Sequence, residues 1–292
     1  MSEAIAASSI DYPVALVCGA GSLPFAVAEA LLKRGRQVVL FPIRGWADPL
    51  RVSAYRHHWG ALGQFGWFCR VARSEGCREV VFIGSVRRPA LWRIKPDLST
   101  LRLVPRLWQR YRGGDDFLLS AIGQIFEEHG FRVLGVPEIA PELLIPEGPL
   151  GRHRPSERDA ADIRKGLLLL DALSSFDIGQ AAVVADQRVV AVEAAEGTDL
   201  MLRRIAQLRE TGHIALGAGR GVLVKAPKRG QDRRLDLPSI GPQTIELAAN
   251  AALGGIAVVA GGTIIAEPQR VREAADAAGL FVTGVPEKVT AK

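Results

Sequence analysis

Short apolar runs alternate with segments of helical periodicity through the first half of the chain. The apolar runs predict β-strands at Val14–Cys18, Val38–Phe41, Glu79–Ile83 and Phe131–Gly135. The segments between them predict helices at Pro24–Arg34, Gln64–Glu75 and Phe117–His129. Parallel strands need crossover connections, which helices usually supply. The alternation therefore predicts an α/β fold whose N-terminal part is a Rossmann-like parallel sheet.

The pattern changes in the second half, where several strands follow one another directly. We expect hairpins at Asp186-Gln187 and at Gly261-Gly262. They would join Gln180–Ala185 to Arg188–Ala195, and Ile256–Ala260 to Thr263–Ala266. The other predicted elements are helices at Ile163–Leu173, Asp199–Arg209, Pro242–Leu253 and from Pro268, and a last strand at Leu280–Thr283. Hairpins interspersed with helices predict a C-terminal α/β domain with a mixed sheet.

Two helix starts in the second half carry capping signals. Ser156 and Asp159 have the spacing of a capping box, with Asp in place of the usual Glu. Thr198 is expected to cap the helix that begins at Asp199.

Proline and glycine are concentrated between the two patterns, which predicts a domain boundary there. We expect a flexible extension at residues 1–11, a Rossmann-like domain at 12–140, a linker at 141–155 and a C-terminal domain at 156–292.

Composition places the chain among globular proteins, because 48% of its 292 residues are hydrophobic and 23% are charged. No apolar run approaches the roughly 20 residues that span a bilayer, and no export signal is recognisable at the start. The three cysteines, Cys18, Cys69 and Cys77, are odd in number and lack C-x-x-C spacing. They favour a reducing cytoplasm over a disulfide framework or a zinc site.

Positive charge and tryptophan are concentrated in the first part of the chain, although the net charge is only +6. The segment Arg87–Arg112 combines many arginines with apolar residues at helical spacing, and Pro105 is expected to interrupt its helix or to lie in the first turn. Such a segment fits either contact with an anionic membrane or a surface helix packed on the core. No nucleic-acid-binding motif accompanies it, so nucleic acid is not an expected partner.

A glycine turn, Gly19-Ala20-Gly21-Ser22-Leu23-Pro24, follows the first strand and leads into a helix. Exposed amides at a helix N-terminus can bind an anion, and the same turn can be purely structural. Pro24 stands where a dinucleotide fingerprint has its third glycine, and no acidic residue follows the second strand. A nicotinamide-dependent oxidoreductase is therefore disfavoured.

A cationic connection at residues 225–241 follows the strand-like run Gly221–Val224. It contains lysines, arginines and two carboxylates, Asp232 and Asp236. Loops of this composition bind charged ligands on many scaffolds, and they also occur as solvated turns.

Three carboxylates, Glu193, Glu196 and Asp199, cluster where a strand passes into a helix. Oxygen ligands beside lysines suit Mg²⁺ and a diphosphate better than a transition metal. The alternative for Glu196 and Asp199 is a favourable interaction with the helix dipole.

Five short motifs, taken together and in order, resemble one known family. They are Gly19-Ala20-Gly21-Ser22-Leu23-Pro24, Gly113-Gly114-Asp115-Asp116, Asp177-Ile178-Gly179-Gln180, Glu193-Ala194-Ala195-Glu196-Gly197-Thr198-Asp199, and Lys225-Ala226-Pro227-Lys228 through Asp236-Leu237-Pro238-Ser239-Ile240-Gly241. From about Tyr12 to Val285 the chain resembles the UDP-2,3-diacylglucosamine diphosphatases of lipid A biosynthesis, of the type unrelated to metallophosphoesterases.

The resemblance implies a cytoplasmic enzyme that hydrolyses UDP-2,3-diacylglucosamine to UMP and 2,3-diacylglucosamine 1-phosphate, by attack of water on the α-phosphorus. It also implies Mg²⁺ as cofactor, two domains with the lipid product held between them, and a homodimer formed through the catalytic C-terminal domain. The family's essential aspartate falls on Asp236. A non-catalytic nucleotide-sugar or lipid sensor is the alternative, and it differs from the enzyme in lacking turnover.

The resemblance and the loop positions together predict the site. Asp236 is the expected catalytic residue, and Glu193, Glu196 and Asp199 are the expected metal ligands. The expected substrate-binding residues are Gly19, Gly21, Ser22, Leu23, Ser85, Arg87, Gly114, Asp115, Gln180, Thr198, Lys225, Lys228 and Gln231. The basic Arg87–Arg112 segment predicts peripheral association with the anionic surface of the inner membrane.

Overall fold

A computed structural model describes residues 12–86, 94, 96–111, 115–217 and 219–287. The chain folds as two compact units, with the boundary between Gly135 and Val136, apart from two residues at the start of one helix that group with the second unit.

The first unit contains a four-stranded sheet in the order β2-β1-β3-β4. Its strands are β1 (Val14–Cys18), β2 (Val38–Pro42), β3 (Glu79–Ile83) and β4 (Arg132–Val133). Its helices are α1 (Leu23–Lys33), α2 (Pro49–Val52), α3 (Phe65–Ser74), α4 (Leu98–Tyr111) and α5 (Asp115–Glu128). Every pairing between these strands is parallel, which confirms the predicted Rossmann-like sheet.

Strands β1, β2 and β3 are buried along nearly their whole length, as is usual for a parallel sheet covered on both faces. Val14 of β1 lies beside Val38 of β2 and Glu79 of β3. The glycine turn Gly19–Leu23 therefore lies at the carboxyl edge of β1, as predicted. The thiols of Cys18, Cys69 and Cys77 are buried and free.

Helix α4 differs from the prediction, because Pro105 neither interrupts it nor lies in its first turn. The helix continues through Pro105, which lacks the N–H that would bond to the carbonyl of Leu101. Leu101 lies on an exposed face, where water can satisfy its freed carbonyl.

The second unit is built on a six-stranded mixed sheet in the order β5-β12-β10-β8-β6-β7, which confirms the predicted mixed sheet. Its strands are β5 (Gly148–Pro149), β6 (Ala181–Ala185), β7 (Arg188–Val192), β8 (Val222–Lys225), β10 (Gly255–Val259) and β12 (Phe281–Val285). Two further strands, β9 (Ser239–Ile240) and β11 (Ile264–Ile265), form a small separate sheet. The helices are α6 (Val136–Ile139), α7 (Glu157–Leu173), α8 (Thr198–Glu210), α9 (Pro242–Asn250) and α10 (Pro268–Ala278), with single 3₁₀ turns at Pro141–Leu143 and Ser174–Phe176.

The hairpin predicted at Asp186-Gln187 is confirmed, because β6 and β7 pair antiparallel on either side of it. Both turn residues have positive φ, of 51° and 60°, the conformation of a tight two-residue hairpin turn. The carboxylate of buried Asp162 accepts hydrogen bonds from the amides of Asp186 (2.9 Å) and Gln187 (2.6 Å). Helix α7 thereby anchors the turn.

The hairpin predicted at Gly261-Gly262 is wrong. Strand β10 lies between β12 and β8, both parallel to it, so neither of its edges is open to the following strand. Strand β11 pairs instead with β9, in parallel register. Gly261 and Gly262 form the turn between the two sheets.

Residues 141–155, expected as a linker, carry part of the second sheet. Gly148 and Pro149 form edge strand β5, antiparallel to β12. Within the described part of the chain, no helix is both long and apolar enough to cross a membrane.

Candidate active site

The polar residues of the second unit meet at one edge of its sheet. Lys225 ends β8, and its backbone pairs with Ala181 at the start of the antiparallel strand β6. Gln180 therefore lies at the same edge, and its carbonyl accepts a hydrogen bond from Ala226 N at 3.1 Å. Ligands of open α/β sheets usually bind at the carboxyl ends of parallel strands, and this is the carboxyl end of β8.

Asp236 lies in the connection between β8 and β9. Its Oδ2 accepts hydrogen bonds from the side-chain amides of Gln180 (2.9 Å) and Gln231 (2.5 Å). Burial raises the pKa of Asp236, while the Gln180 bond, the Lys228 charge, the Gln231 bond and the Lys225 charge act against that rise. The carboxylate thus combines partial burial with hydrogen bonds from two amides and nearby positive charge, an environment that is common at functional sites.

A turn within the connection sets the position of Asp236. The amides of Leu235 (2.9 Å) and Asp236 (3.1 Å) both donate to the carbonyl of Asp232. Leu235 and Pro238 are buried, so the chain is anchored on both sides of Asp236. The side chain of Asp232 is engaged locally, since it accepts bonds from the backbone and guanidinium of Arg234.

Lys225 is 7% exposed and uses its ammonium group within the protein. Its Nζ donates to Thr198 Oγ1 and to the carbonyl of Ser239, both at 3.0 Å. Burial lowers the pKa of Lys225, and the carboxylates of Glu193, Asp199 and Asp236 oppose that effect.

Thr198 does not cap α8 as predicted. Gly197 is the N-cap residue, with φ of 81°, and Thr198 is the first residue of the helix. The hydroxyl of Thr198 donates to Glu193 Oε1 (3.2 Å) and accepts from Lys225. The hydroxyl therefore links the buried Lys225 ammonium group to the Glu193 carboxylate, and both bonds are made within the protein.

Gly179 holds two segments of the site together. A Cβ at this position would lie 2.1 Å from the carbonyl oxygen of Glu193, and φ is +48°. The next residue, Gln180, donates its backbone N–H to Glu193 Oε2 at 3.1 Å. Only glycine permits the close approach that brings Gln180 to Asp236.

Lys228 is buried and forms an ion pair with Asp177. Asp177 has the left-handed conformation, with φ of 55°, just before Gly179. Sequence reasoning identified both residues but missed their pairing. Fifty-one positions separate them, and no periodicity links residues at that distance.

The glycine turn of the first unit is shaped by backbone packing. Ala20 and Ser85 exchange two backbone hydrogen bonds, of 2.8 and 3.0 Å. A Cβ at Gly19 would lie 2.6 Å from the carbonyl of Ser85, so glycine is required there whether or not a ligand binds. Gly21 has φ of +96° and open space around it, and the hydroxyl of Ser22 makes no capping bond to α1.

Comparison with known proteins identifies the family. The sequence model of the LpxI N-terminal domain family matches residues 13–143, and the sequence model of the LpxI C-terminal domain family matches residues 146–283. The chain belongs to the LpxI family. It is 41% identical over 270 residues to the UDP-2,3-diacylglucosamine pyrophosphatase LpxI of Caulobacter vibrioides, covering 92% of this chain and 96% of that protein. The predicted family is confirmed.

A solved structure, the UDP-glucose 4-epimerase of Thermus thermophilus in complex with NAD, also aligns with the chain. It is 12% identical, the alignment covers 94% of this chain and 86% of that one, and the TM-score is 0.29. A score that low supports no conclusion about fold or cofactor.

The three carboxylates predicted as metal ligands do not form a joint site. Both oxygens of Glu193 accept protein hydrogen bonds, from Gln180 N and Thr198 Oγ1. Both oxygens of Glu196 are engaged as well, by Ala194 N (3.1 Å) and Arg204 (2.8 Å). No group of three potential ligands occurs among the described residues. Glu193 and Glu196 therefore do not fit a magnesium cage made by protein side chains alone.

Some predicted substrate-binding residues cannot be placed. Arg87 and Gly114 lie outside the described residues, and for Asp115 only its backbone at the start of α5 is described. Leu23 begins α1, next to Ser22. The roles assigned to all of these residues stay predictions.

Proposed function

We propose that this LpxI family protein hydrolyses UDP-2,3-diacylglucosamine to UMP and 2,3-diacylglucosamine 1-phosphate, as a step of lipid A biosynthesis. The observation that carries this proposal is the 41% identity, over almost the whole of both chains, to a UDP-2,3-diacylglucosamine pyrophosphatase. The polar cluster around Asp236 supports it, because a carboxylate is one of the groups that can take a proton from the attacking water in diphosphate hydrolysis.

Asp236 is the proposed general base. Its Oδ2 is occupied by two amides, so Oδ1 is the oxygen that accepts the proton of the attacking water. Water attacks the α-phosphorus, its oxygen becomes part of UMP, and the P–O bond to the sugar-linked phosphate breaks. The cations of Lys225 and Lys228 lie close enough to favour the ionised form of Asp236.

Mg²⁺ is the proposed cofactor, bound through the diphosphate of the substrate. Proteins commonly hold Mg²⁺ by one or two carboxylates together with substrate phosphates, and this mode needs no three-carboxylate cage. The ion would supply positive charge at the phosphorus being attacked. We expect EDTA to abolish turnover and Mg²⁺ to restore it.

The decisive assay is incubation of purified protein with UDP-2,3-diacylglucosamine in H₂¹⁸O. We expect UMP to form and to carry the ¹⁸O label in its phosphate. Label in the sugar 1-phosphate would show that water attacks the other phosphorus, the β-phosphorus. Binding without UMP release would favour a non-catalytic sensor.

Helix α4 is the proposed contact with the anionic surface of the inner membrane. Leu98, Leu101 and Val104 are 77%, 50% and 42% exposed and follow one another at helical spacing. Arg102 lies beside them, whereas Arg106 forms an ion pair with Glu128 on α5. An apolar stripe flanked by a cation suits a peripheral contact without insertion.

The proposed assembly is a homodimer formed through the C-terminal unit. Light scattering coupled to size exclusion would give twice the chain mass of 31.4 kDa. The mass of a single chain would contradict this.

A further inference from the structure

The amides of Gln180 and Gln231 converge on a single oxygen of Asp236. Their Nε2 atoms lie 2.9 and 2.5 Å from Oδ2, and no described residue donates to Oδ1. We propose that Gln180 and Gln231 are positioning residues, which orient the carboxylate of Asp236 so that Oδ1 alone faces the reacting water. This inference rests on the proposed hydrolysis, and it replaces the substrate-binding role expected for both glutamines.

The side chain of Gln231 is held before any ligand arrives. It is buried, and its Oε1 accepts a hydrogen bond from the backbone N–H of Lys228 at 3.0 Å. This bond fixes which end of the amide is the oxygen, so Nε2 points to Asp236. An amide engaged at both ends has little capacity left to bind substrate.

Gln180 is held through its backbone. Its N–H donates to Glu193 Oε2 at 3.1 Å, and its carbonyl accepts from Ala226 N at 3.1 Å. The first bond ties it to the end of β7 and the second to the end of β8. The side chain therefore reaches Asp236 from a rigid sheet edge, which is how precise sites are usually supported.

Two amides suit this task because of their charge and number. A carboxylate oxygen has about two lone-pair positions, and two N–H donors fill those of Oδ2. Neutral donors stabilise the negative charge without neutralising it, so Oδ1 keeps its capacity to accept a proton. The nearby Lys228 is engaged in its ion pair with Asp177.

The test compares Gln180→Met and Gln231→Met with wild type, and uses Gln207→Met on the exposed face of α8 as the matched control. We expect each site variant to lower kcat by about 10- to 100-fold, since misplacement of a catalytic group has effects of this size. KM should stay within about twofold, because substrate contacts are unchanged. Gln207→Met should behave as wild type.

A second experiment separates positioning from substrate binding, because one of its two readouts, the Kd, does not depend on turnover. In the Asp236→Ala background, addition of Gln180→Met or Gln231→Met should leave both the residual rate and the Kd for UDP-2,3-diacylglucosamine unchanged, since the glutamines act only through Asp236. A Kd raised about tenfold or more would show that they bind substrate, and would overturn the inference.

The outcomes also distinguish this inference from the function on which it rests. If wild type releases no UMP, the proposed function fails. If wild type is active and both glutamine variants keep full kcat, only the positioning role fails. Thermal unfolding of each variant shows whether it folds, and the two glutamines provide independent tests should one variant be unstable.

Discussion

At the scale of single residues, the environments of Asp232 and Asp236 differ although both lie in one short connection. Asp236 is supported by two neutral amides, whereas the carboxylate of Asp232 accepts hydrogen bonds from the backbone and the guanidinium of Arg234. The two amides bind one oxygen of Asp236 and leave the other available to accept a proton. The bonds from Arg234 to Asp232 stabilise the local turn instead. This contrast leads to two predictions.

The first prediction concerns turnover. Asp236→Ala should lower kcat by about 100-fold or more, because general-base catalysis contributes about that much. KM should change little, since the substitution removes only the carboxylate of Asp236. Release of UMP measures both parameters, and Asp232→Ala is the matched control with a far milder effect. Full activity of a folded Asp236→Ala protein would refute the role of Asp236. Equal losses of activity at the two positions would show that Asp236 is not the one catalytic carboxylate of this connection.

The second prediction concerns stability and pH. Burial raises the pKa of Asp236 above 3.8, so the folded protein holds this proton more tightly than the unfolded chain does. The associated stability is lost as pH rises through the raised pKa. Asp236→Asn keeps a neutral group that can still accept both amides, so the variant should be the more stable protein near neutral pH and lose this advantage toward about pH 4.

For Asp232→Asn we expect a change in stability of the opposite sign at neutral pH. The hydrogen bond to the Arg234 side chain is the main cause that lowers the pKa of Asp232, so its ionised form stabilises the fold above about pH 4. The variant should be slightly less stable at neutral pH, by less than about 1 kcal/mol for a solvent-accessible pair. Thermal unfolding across pH measures both variants. Shifts of the same sign in the two would contradict this account.

At the scale of elements, helix α7 shows how a local signal is realised. The predicted capping box is present: Asp159 N donates to Ser156 Oγ (3.3 Å), and Ser156 N donates to Asp159 Oδ2 (2.9 Å). The helix carries Asp162, which anchors the turn between β6 and β7. A weakened helix start would therefore affect the strand that precedes Glu193.

We predict that Ser156→Ala lowers the free energy of unfolding by about 1 kcal/mol, the usual cost of losing a helix cap. Urea unfolding followed by circular dichroism measures it. Ser175→Ala is the control, because that hydroxyl is exposed just beyond the same helix and donates a long bond of 3.4 Å to the carbonyl of Ala172. Its effect should stay within about 0.5 kcal/mol. Equal effects of the two substitutions would show that the cap contributes nothing specific.

At the scale of the whole molecule, the proposed contact of α4 with an anionic membrane would place the protein near its substrate. An acylated substrate resides in a membrane, and a weak peripheral contact would raise the local concentration of enzyme there. Exposed apolar side chains and the exposed cation of Arg102 contribute modestly each, so the interaction should be reversible and salt-sensitive.

The corresponding prediction uses the double variant Leu98→Ser, Leu101→Ser. We expect wild type to sediment with vesicles that contain phosphatidylglycerol at low salt and to be released at high salt. The double variant should bind several-fold less, because it loses the apolar face of α4. Leu50→Ser, at an 85% exposed position on α2, is the control and should bind as wild type. If the double variant and Leu50→Ser bind alike, α4 is ordinary protein surface.

The sequence by itself determined most of the elements and the sheet of the first unit. Buried strands and amphipathic helices leave local periodic patterns, and the turn at Asp186-Gln187 and the cap at Ser156 are set by neighbouring residues. The motif containing Asp236 was identifiable for the same reason, since its residues are close in the chain. The strand order and the pairing of β11 with β9 could not be predicted from the sequence, because pairing depends on which strand edges the rest of the sheet leaves open.

Only the tertiary structure decided what each polar residue contacts. Thr198 bridges Lys225 and Glu193, Lys228 pairs with Asp177, and Gln180 reaches Asp236 across 56 positions of the chain. Glu193 looked like a metal ligand from its spacing, yet its oxygens serve the protein's own donors. These contacts depend on how segments that are distant in the chain pack against each other, and local sequence patterns do not contain that information.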